Sequence, residues 1–401
     1  MISVEEARAR ILAPLRATDA EVVALSEAWH RVSAVAMPAR LTQPPHDVSA
    51  MDGYALSAAA GALGATLRVV GSAPAGHPWD GALGPGEAVR VFTGSVMPAG
   101  ADAVLVQEDA ALDGDRLTVG QAVQRGRHIR RAGQDFVQGD GLVPAGRRLN
   151  ARDIGLLAAG NYPWVRVHRR PRVAILATGD EIAFPGEPLP PGGIVSSNSH
   201  ALAALIRSAG AEPVVLPVAP DDRAALAMAA DAAARMDMLV TSGGASVGEH
   251  DLVQSALGER GLVVDFWTIA MRPGKPVIHG RLGDVPMLGL PGNPVSSLVC
   301  AILFLLPSLE RLSGLPGDLP PVVPARLAAA LPANDHRADH LRATLESGSD
   351  GTPVVRAFAR QDSGMLRALA LADALILRPP HAPALPADAT VPIIRLDALG
   401  L

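Results

Sequence analysis

The 401-residue chain is longer than one ordinary domain, and its 49% hydrophobic share is ample for two to four packed units. A formal charge of -5 leaves no overall basic field of the kind that holds a phosphate backbone, so nucleic acid is not an expected partner. The single cysteine, Cys300, excludes an intrachain disulfide and a Cys-rich zinc site, and within SLVCAILFLL it reads as a small buried hydrophobe.

The opening MISVEEARARILAPL reads as an amphipathic helix with Ser3 and Glu6 at capping-box spacing. Its acidic residues stand where a secretory signal would be basic and then apolar. Thr18 and Glu21 repeat the spacing before VVALSEAWHRV, so a second helix is expected there. ARDIGLLAAGNYP, residues 151–163, reads as a further helix closed at Gly160 by a left-handed cap. Between these helices lie β-prone runs, TLRVVGSA, EAVRVFTG and ADAVLVQED, separated by Gly and Pro turns.

From RPRVAILATGDE onward, apolar strand runs (173–177, 214–218, 238–241, 287–290) alternate with helical stretches at 199–209, 222–235 and 294–312. That alternation implies a parallel sheet covered by helices on both faces. A Pro-rich seam, SGLPGDLPPVVPA, then precedes TPVVRAFA, ALILRPP and ATVPIIRL, which suggest a small β-barrel or sandwich. The expected fold class is multidomain α/β plus β. A helical unit (1–45 and 146–170) carries an inserted β-rich unit (46–145), followed by a doubly wound α/β unit (171–315) and a C-terminal β unit (316–401). No apolar run reaches the roughly 18 to 20 residues of a membrane-spanning helix, so a soluble cytoplasmic protein is expected.

Ligands of open α/β sheets bind at the carboxyl ends of the strands. Three loops are expected there: ATGDEI with Thr178, Gly179, Asp180 and Glu181; TSGGASVGEHD with Ser242, Gly243, Gly244, Ser246 and Asp251; and GLPGNPVSS with Pro291, Gly292 and Asn293. The glycines free backbone N–H groups to face an anion, and the helix after Asn293 offers its positive end. The carboxylates of Asp180, Glu181, Glu249 and Asp251 would repel that anion unless some hold Mg²⁺ between themselves and a phosphate, although each also fits ordinary helix-start capping. Asp237, just before the third strand, fits local pairing. In AMRPGKPVIHG, Lys275 between Gly274 and Pro276 reads as an anion clamp, and RGRHIRRAGQD ends at Asp135 after four arginines.

Taken in order, VSAMDGYAL, VFTGSVMPAGADAVLVQED, HIRRAGQD, TGDEI, TSGGASVGEHD, RPGKP, LPGNPVSS and QDSGMLRALA resemble the molybdopterin molybdenumtransferases of the MoeA family, which share ancestry with the gephyrin E domain. The resemblance spans essentially the whole chain. It implies a Mg²⁺-assisted insertion of molybdate into adenylylated molybdopterin with release of AMP. It places Asp52, Glu181, Asp237, Asp251 and Lys275 in catalysis, and Thr93, Arg130 and Asp135 in substrate binding. Glu181 and Asp251 would hold the metal, and Lys275, Pro276, Ser296, Arg342 and Ser363 the molybdate. It further implies a homodimer whose cleft joins the α/β unit of one chain to the β-rich insertion of the other. Contact with the molybdopterin adenylyltransferase and with molybdoenzyme maturation factors is implied as well. Arg272 stands where the family often has Lys, and Gln134 where Glu is frequent. The competing expectations are adenylyl transfer to molybdopterin and a gephyrin-like scaffold.

Overall fold

A computed structural model describes residues 1–220, 222–243 and 257–399. Helix α1, Val4–Leu12, starts as its sequence demands: the Ser3 hydroxyl accepts from the Glu6 N–H at 3.0 Å. Its buried face, Val4, Ala7 and Ile11, recurs at helical spacing and packs into the core of the α/β unit, against Phe304, Leu305 and Leu309. Arg10 pairs with Asp265 across the same seam. The second expected helix does not form. Ala20–Ala24 is a strand, paired antiparallel with Trp164–His168, and the Thr18 hydroxyl donates to the Arg169 carbonyl at 2.6 Å instead of capping a helix. Helix α2, Ala151–Ala159, has a true capping box between Asn150 and Asp153. Gly160, expected to be left-handed, has φ -76, and Asn161 takes the positive φ of 66. A Cβ at 160 would meet Leu142 Cδ1 at 2.4 Å, so the leucine tip packs where a side chain would otherwise stand.

Within the insertion, Thr66–Ala73, Glu87–Val91 and Ala103–Val106 are strands, joined with Gly53–Leu56 and the hairpin Ala110–Asp113/Arg116–Val119 into one six-stranded sheet. Buried Tyr54, Leu56, Leu67, Leu105 and Leu117 pack one face of it, while Ala55, Val89, Val91 and Val104 pack the other.

The central sheet is mixed, not parallel throughout. Glu212–Val215, Arg172–Ala177, Met238–Ser242 and Val285–Leu290 run parallel in that spatial order, and an antiparallel pair, Pro276–Leu282 and Leu262–Thr268, extends one edge. Helices α3 (Asn198–Ser208) and α4 (Arg223–Ala233) connect the parallel strands and bury two separate cores, one on each face. Helix α5, Pro294–Leu312, has 19 residues and a mean hydropathy of 1.7, so by length and composition it could cross a membrane. That corrects the expectation that no such run exists, but 83% of its apolar window is buried inside the protein. Its middle turn, Ala301–Leu305, is π-helical just before Pro307, whose missing N–H and ring clash with the Leu303 carbonyl disfavour regular α-helix there.

The C-terminal unit is a closed five-stranded barrel. Val322–Leu327, Pro353–Ala357, Ala338–Ser347, Ala374–Arg378 and Thr390–Arg395 pair in a ring, and Met271–Arg272 of the α/β unit joins Ala338–Ser347 as an extra strand. Two of these strands were not expected, including Val322–Leu327, which begins inside the Pro-rich seam.

Candidate functional site

Strands Arg172–Ala177, Met238–Ser242 and Val285–Leu290 end side by side, and the loops that follow them close a cleft of about 510 Å³. Thr178, Glu181, Ser242, Gly243, Pro291, Gly292 and Asn293 line it, as expected for the carboxyl edge of such a sheet. Backbone contacts lace the loops: Thr178 N–H donates to the Ser242 carbonyl and Gly243 N–H to the Leu290 carbonyl, each at 3.4 Å. Gly243 has φ +96, and a Cβ on it would lie 2.9 Å from the Thr178 carbonyl oxygen. At Gly179, φ +131, a Cβ would lie 2.4 Å from a carboxylate oxygen of Glu181, so the acid folds back over bare backbone. Asp180 is exposed beside it. Gly244, Ser246 and Asp251, with Glu249 and His250, lie outside the described residues.

Asn198, not anticipated from sequence, fixes this geometry. Its side-chain amide donates to the Ser242 hydroxyl and to the Gly292 carbonyl, both at 2.8 Å, tying the start of α3 to two of the three loops. The available signal was the polar run SSNSH just ahead of an apolar helical stretch.

Pro276 borders the same cleft, and its neighbour Lys275 is exposed and makes no side-chain hydrogen bond or ion pair among the described residues. The strap that carries Lys275 is held firmly. The Lys275 carbonyl accepts from Ile269 N–H at 3.0 Å, Gly274 has φ +104, and Arg272 pairs with Asp335 and, at 3.7 Å, with Asp339 of the barrel. Arg272 is thereby directed to the barrel.

The barrel brings Ser363 to the start of α5, and Arg342 bonds to the loop that carries it. Asn293 donates to the Ser363 hydroxyl at 3.0 Å, and Val295 N–H donates to the Ser363 carbonyl at 3.0 Å. Ser296, 5% exposed, follows on the same helical turn. Arg342 is 1% exposed, and its guanidinium donates to Gln361 Oε1 at 3.3 Å and to the Met365 carbonyl at 3.3 Å. Burial lowers its pKa, with the Asp362 charge opposing that shift. Gln361, also missed from sequence, returns two amide bonds to the Arg342 and Phe358 carbonyls at 2.9 and 3.0 Å.

A second cluster lies on the insertion. Asp52 accepts from Thr93 twice, from N–H at 2.7 Å and from Oγ1–H at 2.9 Å, and these bonds hold its carboxyl below the usual range. Arg130, exposed, follows Ile129 on the short strand that pairs with Val48–Ser49. Asp135 is exposed on the next turn, where its N–H donates to the Gln43 carbonyl at 3.1 Å. No residue of 46–145 lines the α/β cleft.

Asp237 lies away from the cleft of its own chain. It precedes strand Met238–Ser242 at the amino end, opposite the cleft, and is gripped by both terminal nitrogens of Arg169 at 2.8 and 2.7 Å and by the Arg172 N–H at 2.7 Å. Its position makes it a clamp between units, because parallel strands put their amino ends and their ligand-binding ends on opposite edges.

Three family descriptions cover most of the chain: MoeA N-terminal region (domain I and II) over residues 2–160, probable molybdopterin binding domain over 174–311, and MoeA C-terminal region (domain IV) over 324–396. The chain belongs to the MoeA family of molybdopterin molybdenumtransferases. The molybdopterin molybdenumtransferase of Nostoc sp. is 37% identical over 90% of this chain and 85% of its own length. Molybdopterin molybdenumtransferase 2 of Mycobacterium tuberculosis is 37% identical over 94% of this chain and 95% of its own. A crystal structure of a molybdopterin biosynthesis MoeA protein from Pyrococcus horikoshii superposes with a TM-score of 0.84 at 31% identity, covering 98% of this chain and 99% of that one.

Whether Mg²⁺ fits is decided by the donors. The Glu181 carboxylate lines the cleft with no hydrogen bond or ion pair among the described residues, and a free carboxylate is the hard oxygen donor that Mg²⁺ takes. Among the described residues no group of three or more His, Cys, Asp or Glu converges.

Proposed function

We propose that this chain is a cytoplasmic molybdopterin molybdenumtransferase that inserts molybdate into adenylylated molybdopterin with Mg²⁺ and releases AMP, working as a homodimer. The observation that carries the reading is the junction at Asn293: the cleft ends where the start of α5 meets the barrel loop of Ser363, whose Gln361 accepts from buried Arg342. The cleft takes the nucleotide-linked pterin, and the junction takes the small dianion beside it. Held by Glu181, and by Asp251 of the TSGGASVGEHD motif, Mg²⁺ would offset phosphate charge and polarise the phosphoanhydride.

The chain's own groups do the rest. Lys275, carried on a strap fixed at Gly274 and Arg272, supplies a positive charge at the cleft mouth next to Pro276. Ser296, Ser363 and Arg342 offer hydroxyl and guanidinium donors suited to tetrahedral molybdate. Asp52, kept ionised by Thr93, and Arg130 with Asp135 face the substrate from the partner's insertion, which accounts for their absence from this chain's cleft. Purified protein incubated with adenylylated molybdopterin, Mg²⁺ and molybdate is expected to yield AMP and a cofactor that activates an apo-molybdoenzyme. Absence of both products rejects the proposal.

A further inference from the structure

We propose that Gln361 is a positioning residue: its neutral amide fixes the buried Arg342 guanidinium and the Ser363 loop for an oxyanion without cancelling the guanidinium's charge. The inference deepens the reading above and rests on it for the identity of that anion as molybdate. A guanidinium shut away from water needs either a counter-charge or good hydrogen-bond acceptors. Arg342 is 1% exposed, and among the described residues no carboxylate pairs with it. Asp362 acts on its charge from farther off, and that carboxylate accepts from the Gly364 N–H at 2.8 Å. The acceptors of the guanidinium are all neutral: Gln361 Oε1 at 3.3 Å, the Met365 carbonyl at 3.3 Å and the Arg360 carbonyl at 3.5 Å. A guanidinium has five N–H groups, so these bonds leave some without a protein acceptor and leave the positive charge uncompensated, as an oxyanion requires of its host.

Gln361 uses both ends of its amide to hold this arrangement. Oε1 accepts from the Arg342 backbone N–H at 3.0 Å as well as from Nε–H, and Nε2 donates to the Arg342 and Phe358 carbonyls at 2.9 and 3.0 Å. The Phe358 N–H donates to the same Arg342 carbonyl at 3.0 Å, so the loop 358–365 is wound about a single residue of strand Ala338–Ser347. Two residues beyond Gln361, Ser363 carries that order to α5 by accepting from Asn293 and from the Val295 N–H. Only an amide meets both demands. A carboxylate of the same shape would accept from Arg342 as an ion pair, and its second oxygen would face two carbonyls with no proton to offer. An apolar chain of that length would leave the Arg342 N–H and Nε–H without their acceptor.

Molybdate is the probe, titrated calorimetrically into the full chain, with AMP release as the second readout. Gln361→Glu is expected to bind molybdate at least about tenfold more weakly and to raise the molybdate KM by a similar factor. The KM for adenylylated molybdopterin, and kcat at saturating molybdate, should stay within about threefold of the parent's. Its melting temperature should stay near the parent's, because the new ion pair with Arg342 offsets the lost amide donations. Gln361→Met, neutral and unbranched, is expected to melt lower and to weaken molybdate only about threefold. A purely structural role would instead lower the melting temperature and shift all the kinetic parameters together, with the methionine at least as harmful as the carboxylate. The proposal is overturned if the parent does not bind molybdate, or if folded Gln361→Glu binds it as the parent does. Should Gln361→Glu fail to fold, Gln361→Met decides: a loss confined to molybdate supports the role, and undiminished affinity ends it. AMP release by the parent separates the two readings: turnover with undiminished molybdate binding by the variants removes only the role of Gln361. Molybdate binding that Gln361→Glu weakens, without turnover by the parent, removes only the transferase.

Discussion

At Asp52 one residue type is made useful by its neighbours. The carboxylate is open to solvent, and the paired donors of Thr93 favour its ionised form, so it is an anion throughout the neutral range. Asp52→Asn is expected to leave the melting temperature nearly unchanged and to slow AMP release roughly a hundredfold or more, measured in single turnover. Thr93→Val removes one of the two donors. Because those bonds lower the Asp52 pKa, losing one raises it, and the acid limb of the activity profile should move to higher pH.

Gly274 shows a different constraint. A Cβ there would sit 2.3 Å from the buried Cys300 sulfur, on a backbone with φ +104. Gly274→Ala is expected to cost about 2–4 kcal/mol in urea unfolding, and Cys300→Ala in the same chain should recover part of it. Strictly additive losses would show that the two do not touch.

Among the elements, Ala20–Ala24 illustrates how tertiary pairing overrides a local signal. Thr18 and Glu21 mimic a capping box, but the segment finds Trp164–His168 as a strand partner far along the chain, and a register set by backbone bonds prevails. The same long reach hid Ala338–Ser347, whose polar composition gives little alternation although it pairs with two barrel neighbours. Asp237 belongs to this scale. Its fork to Arg169 joins the N-terminal unit to the base of the central sheet. Asp237→Asn is expected to lower stability by about 1–3 kcal/mol, allowing for partial exposure of the pair, and to leave turnover by the folded protein within about threefold. A large loss of turnover at full stability would restore Asp237 to the chemistry.

For the whole molecule, acid stability should report the seam between α1, the Arg272 strap and the barrel. His340 is 5% exposed, and burial pushes its pKa down to about 4, against the opposing influence of the Arg272 backbone and Glu5. The unfolded chain takes up a proton near pH 6.5 and the folded one does not, so stability is lost as pH falls from about 6.5 toward about 4, by up to about 3 kcal/mol. Above that window neither state carries the proton and His340 contributes nothing to the pH dependence. His340→Leu should flatten this limb in denaturant titrations at pH 7 and 4.5; an unchanged slope would show that the histidine charges in the fold. The proposed dimer has its own test. If Asp52 serves the partner's cleft, co-refolding Asp52→Asn with Glu181→Gln creates mixed dimers with one intact site. Activity should then recover to about a quarter of the parent's for random pairing. No recovery would place both residues in one chain's site.

The sequence alone was enough for the alternation of strands and helices, the loops at the strand ends and the sheet of the insertion, because hydrophobic period and Gly or Pro punctuation are local. It also carried the family, through motifs spelled out in order. Tertiary structure decided what those motifs touch. It placed Asp237 at the edge of the sheet opposite the cleft, turned Arg272 toward Asp335, and made Asn198 the tie to two loops, the farther of them 94 residues along the chain. Such roles depend on which atoms lie within about 3 Å of each other, and that distance is set by the packing of the whole chain, not by spacing along it.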